Sequence, residues 1–166
     1  PDVDRLAFVC EDGTMFGEEY TLVSVADFVL SKLGGNAVSN LSSTRALSDV
    51  TVKYGGKYFA SAVGEVNVVE KMKEKSAVIG GEGNGGIIFP ALHYGRDALV
   101  GIALFLTYLS EKDLAISKLR SIYTNYFISK NKIQLTNSTD ISSIISEVAK
   151  KYNKDTTAFI FIFGAK

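Results

Sequence analysis

Scarcity says much about this chain before any motif does. Its 166 residues hold one cysteine, Cys10, which excludes an internal disulfide framework and a multi-cysteine zinc site. A single histidine, His93, excludes metal sites built from several imidazoles. Neither sign of charge is in excess, because 18 Lys and Arg balance 18 Asp and Glu. A nucleic-acid footprint needs a basic surplus and an acidic disordered tail needs an acidic one, so no nucleic-acid partner is expected. Apolar runs are short or broken by Ser, Asp and Lys, which leaves no transmembrane span and no membrane partner. No repeat and no low-complexity tract stands out. A signal-peptide pattern is also missing, so the expected location is cytoplasmic. Residue 1 is Pro, and the sequence reads as though cut from something longer.

What is present alternates between strand and helix. With 46% apolar residues the chain can build a core. Residues 6–10 read as a short buried strand, Glu11-Asp12-Gly13 as a turn, and 14–16 as the returning arm of a hairpin. The spacing predicts a helix over 18–33 whose apolar residues cover most of its circumference, so it should be largely buried. Gly34-Gly35 stops it. A strand over 37–41 and a helix over about 44–54, capped by Ser42, Ser43 or Thr44, come next. Strand 57–61 leads through Gly64-Glu65 into a helix ending near Lys75. A buried strand at 77–79, a glycine-rich loop at 80–86, a strand at 87–89 and an apolar helix over 97–109 follow. Further helices are expected over 111–122 and 141–152, the latter capped within 137–140, with strands over 126–135 and 158–163. This order indicates α/β layers with much of the sheet covered by helices. Boundaries fall near Gly34-Gly35 and near 135–137.

Four short motifs can carry chemistry. Asp2 and Asp4, two residues apart in Pro1-Asp2-Val3-Asp4-Arg5, can converge on one hard cation. Arg5 beside them can hold a phosphate bidentately. A solvated turn explains the same five residues. Gly81-x-Gly83-x-x-Gly86 matches the dinucleotide fingerprint formally, but that fingerprint must open a helix, and the strand-like Ile87-Ile88-Phe89 follows it instead. Dinucleotide binding is therefore rejected. Glu82 and Asn84 on this glycine-framed loop suit a polyol, the carboxylate accepting from hydroxyls and the amide both donating and accepting. A tight hairpin with solvated tips is the competing reading.

In Val63-Gly64-Glu65-Val66, Gly64 lets backbone approach a ligand, while Glu65 can equally serve the helix dipole. His93-Tyr94-Gly95-Arg96-Asp97 places a proton-transferring imidazole and a phosphate-suited guanidinium before a helix that Asp97 can cap. Cys10 lies in an apolar segment and reads as core.

Together, Pro-Asp-Val-Asp-Arg (1–5), Val-Gly-Glu-Val (63–66), Gly-Gly-Glu-Gly-Asn-Gly-Gly (80–86) and His-Tyr-Gly-Arg-Asp (93–97) resemble the α-D-phosphohexomutase superfamily. Its members are phosphoglucomutase, phosphomannomutase and phosphoglucosamine mutase, and the glycine loop is most similar to the archaeal-type branch. The resemblance implies a four-domain isomerase that converts a hexose 1-phosphate to the 6-phosphate through a phosphoserine enzyme and a bisphosphorylated sugar. Mg²⁺ would be held by an Asp-x-Asp-x-Asp loop, of which Asp2 and Asp4 match the last two carboxylates and Arg5 the following arginine. Glu82 matches the sugar-contacting glutamate, and Asn84 replaces a serine. Gly64 and Glu65 match a second sugar-facing turn. Gly86 stands where many members carry His, a place His93 can fill, with Arg96 beside it toward the substrate.

The resemblance divides the chain into the end of a second domain (1–35), a third, mixed-sheet α/β domain (36–135) and the start of a fourth (136–166). On this reading Pro1 marks a cut through the metal loop. The phosphoserine loop and the fourth domain's phosphate-clamp motif are not among these residues, so the expected role is sugar recognition plus part of the Mg²⁺ site, without turnover by the piece alone. The partners implied are a hexose phosphate and either a second copy or the remaining mutase domains. The alternative is a non-catalytic sugar-phosphate or protein-binding module derived from such a piece.

Overall fold

A computed structural model describes residues 3–128 and 140–152. Residues up to Phe127 form one compact unit, and helix α6 (Ile141–Tyr152) belongs to a second. The first unit contains α1 (Glu18–Leu33), β1 (Asn36–Asn40), α2 (Ala46–Lys53), β2 (Tyr58–Ser61), α3 (Glu65–Glu74), β3 (Ala77–Glu82), β4 (Gly86–Ile88), α4 (Ala98–Lys112) and α5 (Ile116–Ser121).

The sheet order is β2-β1-β3-β4. β1 runs parallel to β2 and to β3, and β3 pairs antiparallel with β4. The fold is α/β with a mixed sheet, as expected. Side chains alternate between the two faces of a strand, and the core divides accordingly. Ala37, Ile79 and Ile87 join Leu22, Val25, Val29, Leu47 and Phe105 under α1, α2 and α4. Val38 and Ile88 point the other way, onto Val68 and Met72 of α3. Three layers result, with the sheet in the middle.

Helix α1 occupies the span the apolar pattern predicts and is buried from Tyr20 to Leu30. Glu18 and Glu19 in its first turn and Lys32 in its last suit the helix dipole. The Gly34 N–H closes it on the Leu30 carbonyl at 2.9 Å. Helix α1 lies against α2, α4 and β3 inside the first unit.

The expected hairpin over residues 6–16 forms around the turn Glu11-Asp12-Gly13. The Cys10 N–H donates to the Thr14 carbonyl at 2.8 Å and the Phe16 N–H to the Phe8 carbonyl at 3.0 Å, while Leu6, Cys10 and Phe16 turn into the core. The start of the segment also pairs with the glycine loop, through an Arg5–Gly86 bridge and a 3.0 Å bond from the Leu6 N–H to the Gly85 carbonyl. The helix expected over 111–122 is two helices, because Asp113 is left-handed (φ 51°) and ends α4. Residues 126–128 form no strand, and the rest of that expected strand, together with 158–163, lies outside the described residues. No helix among the described residues is long and apolar enough to cross a membrane.

Candidate functional site at the strand carboxyl ends

The two crossovers run in opposite directions along the sheet. β1-α2-β2 goes to one side through α2, and β2-α3-β3 returns to the other side through α3. The carboxyl ends of β1 and β3 therefore flank a topological switch point, where open α/β sheets bind ligands. Asn40 ends β1, Glu82 ends β3, and the turn after β2 leads to Gly64 and Glu65 at the start of α3. Glu82 belongs to the strand itself and only Gly83, Asn84 and Gly85 form the turn, so its carboxylate is placed by the sheet.

Arg96 gathers this end of the sheet. Its Nη1 donates to Glu82 Oε2 at 2.8 Å, its Nη2 meets Asp4 Oδ2, and its Nε stands 3.2 Å from Glu65 Oε2. The Arg96 backbone N–H donates to Glu65 Oε1 at 3.0 Å. Three carboxylates face one guanidinium, which leaves the site negative. Nη1 and Nη2 of the planar fork are directed at carboxylates, while the buried Nε makes no hydrogen bond and meets Glu65 as a charge alone. The Arg96 stem crosses Gly86, where a Cβ would come within 2.5 Å of Arg96 Cδ.

Glu82 is 5% exposed and engaged on both oxygens. Asn40 Nδ2 donates to Oε1 at 2.8 Å while Arg96 holds Oε2. Sequence reasoning did not assign Asn40 to the site. The available signal was Asn40-Leu41-Ser42-Ser43 at a strand end, an Asn with serines two and three residues on, the pattern of an Asx turn. Asn40 Oδ1 indeed accepts from the Ser42 N–H at 3.1 Å and from Ser43 Oγ at 3.2 Å.

The other candidates are distributed around this cluster. Asn84 is exposed at the tip of the turn, its Oδ1 accepting from the Gly86 N–H at 3.2 Å. Arg5 is exposed, with Nε 3.9 Å from Asp4 Oδ1. His93 lies on the exposed loop before α4. Its Nδ1 accepts from the Gly95 N–H at 3.0 Å, and its Nε2 faces Asp97 Oδ2 at 3.0 Å. Its ring thus bonds to its own loop and not to the Arg96 cluster. Asp97 caps α4 through the Val100 N–H, and that bond first, then His93, holds its carboxyl below the usual range.

Asp2 lies outside the described residues. Asp4 Oδ1 is buried without a hydrogen-bond partner, a hard oxygen of the kind Mg²⁺ takes. Among the described residues no group of three or more His, Cys, Asp or Glu is placed to hold a metal ion. Asp4 is the carboxylate among the described residues that would offer Mg²⁺ a ligand oxygen.

These features define a three-layer α/β domain with a carboxylate-rich site at its switch point. The chain belongs to the phosphoglucomutase/phosphomannomutase family, and residues 17–126 match its alpha/beta/alpha domain III. It is similar to the phosphoglucomutase/phosphomannomutase of Thermococcus kodakarensis, at 32% identity over 162 residues, covering 94% of this chain and 35% of that protein. It is also similar to the phosphoglucosamine/phosphogalactosamine mutase of Sulfurisphaera tokodaii, at 27% identity, covering 99% of this chain and 37% of that protein. A crystal structure of a phosphoglucomutase/phosphomannomutase family protein from Burkholderia thailandensis superposes with a TM-score of 0.64. That match is 27% identical and covers 75% of this chain and 27% of that one. The chain thus spans about a third of the length of these curated relatives.

Proposed function

We propose that these residues are the sugar-reading part of a phosphohexomutase, an isomerase that interconverts hexose 1-phosphate and 6-phosphate through a phosphoserine and a bisphosphorylated sugar. The observation that carries this reading is the Glu82 carboxylate, fixed at the switch point by Asn40 and Arg96. A carboxylate has about four acceptor positions. Two are used internally, which leaves two for sugar hydroxyls that reach the narrow exposed edge of this otherwise buried side chain. Asn84 supplies an exposed amide two residues away, and Gly64 and Glu65 border the same end of the sheet.

Asp2 and Asp4 would hold Mg²⁺, which neutralises charge during phosphoryl transfer when bound. Arg5, exposed beside Asp4 with its Nε 3.9 Å from Asp4 Oδ1, is a cation that can turn to meet a phosphoryl oxygen. The remaining mutase domains are the natural docking partners of this piece, and it binds sugar without turning it over by itself.

The test is titration of the ¹⁵N-labelled 166-residue chain with glucose 1-phosphate, mannose 1-phosphate and glucosamine 1-phosphate. Resonances of residues 64–65 and 82–84 are expected to move, and E82Q is expected to weaken the response. Unchanged spectra with all three sugars would remove this reading. So would robust mutase turnover by the isolated chain, in the case of its non-catalytic part. Calorimetry should show weak Mg²⁺ binding, and micromolar affinity would contradict the partial metal site.

A further inference from the structure

We infer that Asn40 is a positioning residue for sugar specificity, acting through Glu82. This inference rests on the sugar-reading role proposed for Glu82. Glu82 has two rotatable torsions beyond Cβ, and a carboxylate that must match two hydroxyls loses its selectivity if it turns. Arg96 holds one oxygen, but the Arg96 fork is shared with Asp4 and Glu65 and leaves the second oxygen unguided. Among the described residues, the Asn40 amide is what defines that second oxygen, from the next strand of the sheet, at 2.8 Å.

Asn40 is itself fixed. It is 3% exposed at the end of β1, and its own carbonyl oxygen accepts from the Ser42 N–H and the Ser43 hydroxyl. Those two bonds settle which end of the amide faces Glu82, because the oxygen is occupied and only Nδ2 remains to donate. The amide is thus a rigid donor on β1 that reaches Glu82 at the end of the neighbouring β3. It also joins the sugar-reading carboxylate to the turn over residues 41–45, whose Ser43 lies against Gly83 of the glycine turn. A change in either turn is transmitted to Glu82 through one side chain.

Two substitutions separate this role from mere support. N40A removes both the donor and the acceptor. N40D keeps the size and the acceptor for Ser42 and Ser43 but places a second carboxylate against Glu82, where the former donor stood. The probes are glucose 1-phosphate and mannose 1-phosphate, titrated into the 166-residue chain by NMR.

N40D is expected to retain the fold, judged by its amide spectrum, and to weaken binding of the preferred sugar about tenfold, with a smaller ratio between the two sugars. N40A should weaken binding in wild-type protein yet have less than about a twofold effect in an E82A background, because the route through Glu82 is already gone. Wild-type affinity and selectivity in N40D would overturn the inference while leaving the sugar-reading role intact. Equal effects of N40A with and without Glu82 would overturn it as well. If the wild-type chain binds neither sugar, the sugar-reading role fails first and takes this inference with it.

Discussion

The Asp27 carboxylate and the Tyr108 hydroxyl meet at 2.6 Å inside the layer formed by α1 and α4. Tyr123 donates to the same oxygen at 3.0 Å, and Tyr54 and Lys53 reach the other at 2.7 and 3.0 Å. Burial pushes most strongly against ionisation of Asp27. The hydrogen bonds of Tyr108, Tyr54 and Lys53, with the Lys53 charge, outweigh it and hold the carboxyl below its ordinary range. The tyrosines are displaced the other way. Burial first, then the Asp27 hydrogen bond and charge, raises Tyr108, and burial with the Asp27 charge raises Tyr123. One carboxylate thereby ties α1, α2, α4 and the segment after α5 together.

Replacing Asp27 should therefore unfold the protein more readily. D27N keeps the shape but turns an amide against donors, and D27A leaves four donors without an acceptor. Breaking a buried charged cluster costs about 3–5 kcal/mol, and the half-exposed Lys53 places this case at about 3. A carboxyl with a lowered folded pKa stabilises fully above the unfolded value of about 3.9, and that contribution is lost as pH falls through the folded value. The gap in urea midpoint between wild type and D27N should be constant at neutral pH and shrink below about pH 4. A gap that persists unchanged at pH 2 would exclude Asp27 as the ionised centre.

Asp27 also shows where the sequence is legible and where it is not. Apolar periodicity located α1, and glycine, capping and strand patterns located the elements from β1 to α4 within a few residues. Those signals are local. The Asp27 cluster was invisible because its partners are 26 to 96 residues away in sequence and each is an ordinary Tyr or Lys in isolation. The site divides in the same way. Glu82, Glu65 and Asp4 were found in motifs, but that one arginine collects all three, and that Asn40 holds Glu82 across 42 residues, is set by strand order. The 6–16 hairpin was read from turn chemistry. It forms, but the docking of its first arm on the Gly85 carbonyl through the Leu6 N–H is a contact across 79 residues that no local pattern shows.

Arg96 is the next test of that long-range order. R96A leaves Asp4, Glu65 and Glu82 facing one another with no cation between them. The side chains of Arg96 and Glu82 are 17% and 6% exposed, so solvent screens the repulsion little. The expected loss is about 3 kcal/mol in urea unfolding, and R96K should recover only part of it, because one ammonium cannot match the three directions of the fork. Equal stability of R96K and wild type would show that charge alone matters there.

Gly85 and Gly64 should respond differently to alanine, although both have positive φ. At Gly64 a Cβ meets nothing closer than Asn67 Nδ2 at 3.4 Å, so G64A should cost only backbone strain, about 1–3 kcal/mol. At Gly85 a Cβ would fall 2.2 Å from the Leu6 carbonyl oxygen, which is backbone and cannot rotate away. G85A should therefore detach the segment around Leu6. Amide exchange at Leu6 is the measure, since its N–H is bonded to the Gly85 carbonyl. Protection of that amide in G85A equal to wild type would refute the contact.

His93 and Asp97 offer the last comparison, because one side chain serves the other. Asp97 Oδ1 caps α4 at the Val100 N–H, 3.0 Å away, while its Oδ2 meets His93 Nε2. Loss of an N-cap costs about 1 kcal/mol, so D97A should lower the urea midpoint by that amount, and D97N, whose amide oxygen can still cap, by less. H93A removes only the exposed partner and leaves the cap in place, so it should cost a few tenths of a kcal/mol. In D97A the further removal of His93 should then cost nothing, because its Nε2 partner has gone. A stability loss from H93A larger than that from D97A would mean that the imidazole supports the loop through its Gly95 bond and not through the cap.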